Sequence, residues 1–262
     1  MRLAALVMLA SVSAAVPAAA QDMLRHVDLT TPDMTQAELT RVEVEVLIAK
    51  AGGKPLDLSD RRLSGLDLSG LDLRGTNLRL ARLNKTKLSD ANLSGANLDQ
   101  AWLLKADLSG AKLVGASLFG AQAREANLSR ADLTKARPIG DFSGANLSGA
   151  TLVGLRGGAD IRNQSMGLMR AVFTSANLEG ADLTGANLGR SKLDFANLRG
   201  ANLTDAVLIG SDASGVDLTG ATVVGADFAN VDVGGAKLRG LKGQDLAKGS
   251  GALVNADRAI TQ

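Results

Sequence analysis

The stretch Ala176-Asn177-Leu178-Glu179-Gly180, Ala181-Asp182-Leu183-Thr184-Gly185, Ala186-Asn187-Leu188-Gly189-Arg190 decides the fold. It belongs to a run, Ala171 to Gly240, that holds a period of five for fourteen units. Leu56–Lys135 repeats the phrase for sixteen units. A small residue opens each unit, a mostly polar one follows, and Leu, Phe or Val usually holds the centre. Internal repetition has to be settled first, because it sets the architecture. A period of five does not keep the leucines on one face of a 3.6-residue helix, and the recurring glycines weaken any helix. A flat strand fails too, because an odd repeat flips the leucines from face to face. The remaining solution is three extended residues, with Ala and Leu inward and Asn or Asp outward, then a two-residue turn that restores the phase. The chain becomes a coil of short extended segments around a narrow interior.

With these units in view, the chain resembles the pentapeptide repeat family, whose motif is A-(D/N)-L-x-x. The match covers about three quarters of the sequence. The resemblance implies an all-β fold, a right-handed quadrilateral parallel β-helix with about twenty residues per coil. Coils stacked at about 4.8 Å would give about nine coils and a rod of about 43 Å.

Composition agrees with a narrow interior: the chain has five Phe, one Trp and no Tyr. A net charge of +2 supplies no general field for nucleic acid, so no nucleic-acid partner is expected. The absence of Cys excludes disulfides, thiolate catalysis and a lipidated cysteine.

Taken in order, residues 1–20 read as a secretory signal peptide. Arg2 opens it, Leu3 to Val16 is apolar, and Ala18-Ala19-Ala20 offers a cleavage site. No other segment is long and apolar enough to span a membrane. The expected location is therefore outside the cytoplasm, periplasmic or secreted after cleavage near Ala20. Residues 21–55 hold a flexible lead-in, with the lone His26, and a helix over Thr35–Ala51. Thr35 and Glu38 form its capping box and Gly52-Gly53 its end. This helix is expected to cover the first coil of the repeat region, 56–240. Arg61, at an inward position of that coil, is expected to escape past its end. Two irregular zones interrupt the repeats. At 136–139 the phase slips by one residue around Pro138, which cannot donate a ladder hydrogen bond, so a bend or bulge is expected. At 155–170 a distorted coil and an excursion loop both fit. Residues 241–262 leave the period and read as a C-terminal cap, a loop followed by a short helical or extended segment near Leu253–Ile260.

Four units per coil stack residues twenty apart. One outward column then reads Arg62, Arg82, Trp102, Gln122, and beside it lie Lys85 and Lys105, one above the other. Leu104 and Phe119 also point outward and Leu80 sits at a neighbouring corner. Arg62, Leu80, Arg82, Lys85, Trp102, Leu104, Lys105 and Phe119 form the candidate partner surface, because Trp and Arg favour interface centres and an apolar patch with a charged rim suits a protein partner. Leu56–Lys135 carries net +3 and Ala171–Gly240 net −3.

No catalytic set is present. A single His has no Cys or second His to join it, the Ser and Thr residues lie in turns without a base, and the glycines follow the period rather than a phosphate-binding motif. Stacked carboxylates such as Asp212 and Asp232 are unspecific as metal ligands, and no cofactor is expected. The leading function is a non-enzymatic binding or scaffold protein of the periplasm, acting on a protein partner through a rigid rod. One alternative is a DNA mimic that binds DNA gyrase, as in the quinolone-resistance members of the family. Those members are strongly acidic and cytoplasmic, unlike this chain. A secreted effector is another alternative, and homo-oligomerisation through the end caps stays open. Each buried central Leu contributes about 1.5–3 kcal/mol. Leu183→Asp is therefore expected to prevent folding of the array, and an unchanged thermal melt would contradict the coil.

Overall fold

A computed structural model describes residues 27–159 and 169–261. Within them the chain climbs through parallel bridges between residues twenty apart, such as Arg82 with Trp102 and Lys87 with Asp107. Each side contributes one bridging residue, the second of its pentapeptide. Four columns result, so the coil is four-sided. Side one runs through Arg62, Arg82, Trp102, Gln122, Asp141, Val172, Lys192, Asp212, Asp232 and Val254. The first and third residues of each unit point inward; Ala101, Leu103, Ala181 and Leu183 are fully buried.

The hydrogen bonds explain the five-residue phrase. In the unit Ala101–Lys105, the N–H of Ala101 closes the preceding turn onto the Leu98 carbonyl, at 3.1 Å. Trp102 donates back to Ala81, while Leu103 and Lys105 donate forward to Gln122 and Arg124. The fourth N–H has no ladder partner. In most units it bonds the side chain of the second residue, as Thr184 N–H does with Asp182 Oδ1 at 3.0 Å and Ser94 with Asn92 at 3.2 Å. Asn or Asp in second place is thus an Asx-turn acceptor as well as an outward polar group. The fifth residue takes the left-handed conformation that a type II turn requires. Gly does so at Gly180 (φ 64°), and non-glycines such as Lys105 (φ 54°) do so as well.

The slip at 136–139 does not break the ladder. Ser117 pairs with Arg137 twenty residues on, and Gln122 with Asp141 nineteen on. The coil is one residue short and closes tightly there, since a Cβ on Gly140 would lie 2.5 Å from the Ala121 carbonyl oxygen. Past 155 the spacing becomes 31: Asp141 pairs with Val172 and Asn146 with Asn177. Val172 donates directly to Gly140 and Ala171 to Gly157. The ladder therefore passes over the irregular stretch without an extra coil. Residues 160–168 lie outside the described residues, as do the leader 1–20 and His26.

Both ends differ from expectation. The expected helix Thr35–Ala51 is two: α1, Pro32–Thr35, and α2, Arg41–Ala51. The capping box of α2 is Thr40 with Glu43, the same Thr-x-x-Glu pattern five residues later. Glu38 is engaged by the first coil, through the Arg62 N–H and the Arg61 and Arg62 guanidinia. Arg61 itself is exposed and points past the coil to Glu38 at 3.3 Å. Val44 of α2 is fully buried in the same core as Leu58 and Leu63. Toward the other end, the chain after Leu241 is not the expected loop. It makes one more coil with sides of six residues, bridging at Lys242, Lys248, Val254 and Ile260. Three 3-10 turns, Gln244–Leu246, Ser250–Ala252 and Ala256–Arg258, absorb the sixth residue of each side. Gly243, Gly249 and Asn255 stand where Leu would fill the interior, and a cavity of about 500 Å³ opens over Val223, Phe228 and Val233.

The side after side one carries Asp107, Asn127, Asn146, Asn177 and Asn197, each Asn amide donating to the residue below at 2.9, 3.3, 3.3 and 3.0 Å. The next rung is Asp217. Burial pushes its carboxyl up, but the hydroxyl and N–H of Thr219 and the Lys237 ammonium outweigh this and hold it at about 2, against an ordinary 3.8. A depressed folded value means stabilisation that is complete above the ordinary value and lost as pH falls through the folded one. Asp217 should titrate near 2 by carboxyl NMR, with stability falling between pH 4 and pH 2, and Lys237→Met should raise that midpoint. A wild-type midpoint at 3.8 would contradict the packing of this side.

Candidate partner face

Side one breaks the local rule. Arg62, Arg82, Trp102 and Gln122 occupy four successive second positions without an Asx residue, the longest such run on any side among the described residues. These rungs give up the side-chain acceptor that serves the fourth N–H elsewhere. At Leu104 the loss is made good from the rung below, where Asn84 Oδ1 accepts its N–H at 3.1 Å. The ladder brings all eight sequence-selected residues to one face and its corners. Arg62, Arg82 and Trp102 stack, Leu104 and Lys105 turn the following corner above Lys85, and Leu80 and Phe119 lie along the preceding one.

Several of these side chains already have partners. Arg62 pairs with Asp33 at 2.9 Å and Arg82 with Asp60 at 2.7 Å. Lys105 pairs with Glu125 at 3.2 Å. The Arg137 guanidinium lies 4.7 Å over the Phe119 ring, a cation–π contact. Trp102 is half-buried and Leu104 likewise. Just above, the Arg124–Asp141 ion pair and the buried Gln122 end the patch.

The sequence reading missed what lies on this face. The lead-in is not free over its described part. Met34 of α1 is buried at 7 % exposure, and its carbonyl accepts from Asn84 Nδ2 at 3.1 Å. Glu38 donates its N–H to the Arg62 carbonyl at 2.9 Å. Burial would raise the Glu38 carboxyl, but the Arg62 N–H and the Arg61 and Arg62 guanidinia bring it below its ordinary value. The one signal available beforehand was the acidic pair Asp33 and Glu38 just before a column that begins with arginine. Between the lead-in and the coil a pocket of about 250 Å³ is lined by Leu29, Met34, Leu104, Lys85 and Lys105. Among the described residues no group of three His, Cys, Asp or Glu is arranged to hold a metal, and no helix is long and apolar enough to cross a membrane.

The family model for pentapeptide repeats matches residues 62–100, 103–137 and, in overlapping copies, 168–240. Among solved structures, HetL is 32 % identical, with a TM-score of 0.53, over 81 % of this chain and 97 % of its own. HetL is a pentapeptide repeat protein involved in heterocyst differentiation regulation from the cyanobacterium Nostoc sp. strain PCC 7120. Full-length QnrB1, a plasmid-mediated fluoroquinolone resistance protein, is 19 % identical over 78 % of this chain and 93 % of its own, with a TM-score of 0.40. No curated protein sequence matches the chain.

Met34 is the anchor of the lead-in on this face. Met34→Ser should speed hydrogen exchange at the Gln36 and Glu38 amides by at least about tenfold, because burial of that side chain holds the segment down. Unchanged exchange would contradict the docking.

Proposed function

The chain belongs to the pentapeptide repeat family of β-helix solenoids, and from that premise we propose that it is a non-enzymatic, exported interaction scaffold whose partner face is the first half of side one. The observation that carries this reading is the four-rung departure from the Asx rule at Arg62, Arg82, Trp102 and Gln122. Those positions give up a local hydrogen bond and gain Arg and Trp, the residue types that supply most binding energy at interfaces. Leu104 and the cationic rim of Lys85 and Lys105 extend the same surface. A rigid solenoid displays such a surface with little ordering cost on binding. Export rests on Met1–Ala20, with its basic start, apolar centre and small-residue end. The helix α2, packed through Val44 on the first coil, is proposed to close that end of about nine pentapeptide coils. An absence of catalytic groups is proposed from the sequence, which has no Cys and a single His.

The test is site-specific photocrosslinking in intact cells, with the crosslinker in place of Trp102 and, as control, of Asp227 on another side of the second array. A discrete protein adduct at Trp102 and none at Asp227, recovered from the periplasm, is the expected result. Equal adducts at both positions, or none at Trp102, would overturn the face; recovery from the cytoplasm alone would overturn the export.

A further inference from the structure

Phe195 is 67 % exposed and stands with φ +59° at the fifth place of its unit. On the same corner Ser175 precedes it, and Gly215 and Gly235 follow. A left-handed backbone favours glycine there, and a large apolar side chain in water gains nothing from the fold. Its ring lies along the corner against Gly215 of the next rung, where an added Cβ would come within 2.6 Å of it. Phe195 is therefore a knob set on a regular edge.

The hole is on the same edge. The pocket of about 250 Å³ between Leu29, Met34 and Leu104 opens at the corner that carries Lys85 and Lys105. Counting along side one, Trp102 with Leu104 and Lys105 is the third rung, and Lys192 with Asp194 and Phe195 is the seventh. The fifth rung, Asp141, lies midway. We infer that two copies of this chain pair through side one, antiparallel, about a two-fold axis that crosses the face at Asp141, so that Phe195 of each enters the Leu29–Met34–Leu104 pocket of the other.

Charge selects this register. The repeat array that supplies Lys85, Leu104 and Lys105, Leu56–Lys135, is net +3, and the array that holds Phe195, Ala171–Gly240, is net −3. The two-fold axis sets the third rung against the seventh and the second against the eighth. Lys105 then meets Asp194 of the second copy, and Lys85 meets Asp212. Lys192, the cation of the acidic half on this face, falls opposite Trp102, whose ring face accepts a cation. Because knob and hole lie on one corner, the contact is isologous and closes as a dimer rather than a filament. The pairing lies along the side of the rod, not at either end. It rests on the reading of side one as an interaction surface and names an occupant for it.

Sedimentation of the purified full chain should show a dimer. Phe195→Ser, which copies Ser175 at the same backbone conformation, should leave the circular dichroism unchanged and weaken the dimer at least about tenfold, as loss of a central aromatic anchor does. Lys105→Asp should also weaken it, and Lys105→Asp with Asp194→Lys should restore it. The chain has no cysteine, so the double variant Lys85→Cys, Asp212→Cys should oxidise to a covalent dimer, while Lys85→Cys with Asp182→Cys, on another side, should not. Wild type remaining monomeric, a dimer indifferent to Phe195→Ser, or equal crosslinking of both cysteine pairs would overturn the inference. A monomer that still gives a foreign adduct at Trp102 in cells overturns it and leaves the interaction reading standing. A monomer with no adduct at Trp102 overturns both.

Discussion

Each regular five-residue unit of this solenoid has five backbone N–H groups to satisfy. Three go to neighbouring coils and one closes a turn. The fourth residue's N–H is left over, and an unpaired amide at a tight corner costs stability. Asn or Asp two residues earlier meets it, as at Asn92, Asp182 and Asp217. The repeat is therefore set by hydrogen-bond accounting as much as by burial. Ala and Leu fill the interior, Asx closes the corner, and Gly eases the left-handed fifth place. Once these are met, each coil lies on the last in one register, and the outer surface is free to vary.

That freedom is what makes side one informative. Val207 or Lys112 in second place is an isolated departure on its own side, with Asx residues on the rungs beside it. Four departures stand in succession where the fold asks for small acceptors, and three of them, Arg62, Arg82 and Trp102, put large groups on a flat face. The lead-in that settles beside them, through Asp33 on Arg62 and Met34 on Asn84, gives the face relief. A smooth column thus becomes a surface with a pocket and a cationic rim.

Much of this was legible in the sequence because period five and twenty-residue stacking are strict. The inward Ala and Leu positions, the column Arg62–Arg82–Trp102–Gln122 and the missing ladder donor at Pro138 all follow from counting. What counting missed was set by competition or by a change of period. Two Thr-x-x-Glu patterns compete to start the helix, and the first loses because Glu38 is drawn to the Arg62 amide. The last coil keeps the ladder but moves to six residues per side, with Gly243, Gly249 and Asn255 in the places that announce a coil elsewhere by Leu. The docking of Met34 depends on a contact fifty residues away in sequence, which no local pattern carries. The repeat marks Asn and Asp as outward polar groups, while their bond to the backbone depends on turn geometry that no spacing carries.

The central claim is one continuous ladder whose register, twenty residues through most of the rod and nineteen in the coil ending at Asp141, jumps to 31 between Asp141 and Val172. The direct measurement is disulfide formation in a chain that has no native cysteine. Adjacent rungs about 4.8 Å apart fall within the Cα separation a disulfide needs. Cysteines at Asn146 and Asn177 should link within one chain on oxidation, while cysteines at Asn146 and Asp182, on the next side, should not. Failure of the first pair to link, or equal linking of both, would mean that the stacking described for the second half of the rod is wrong.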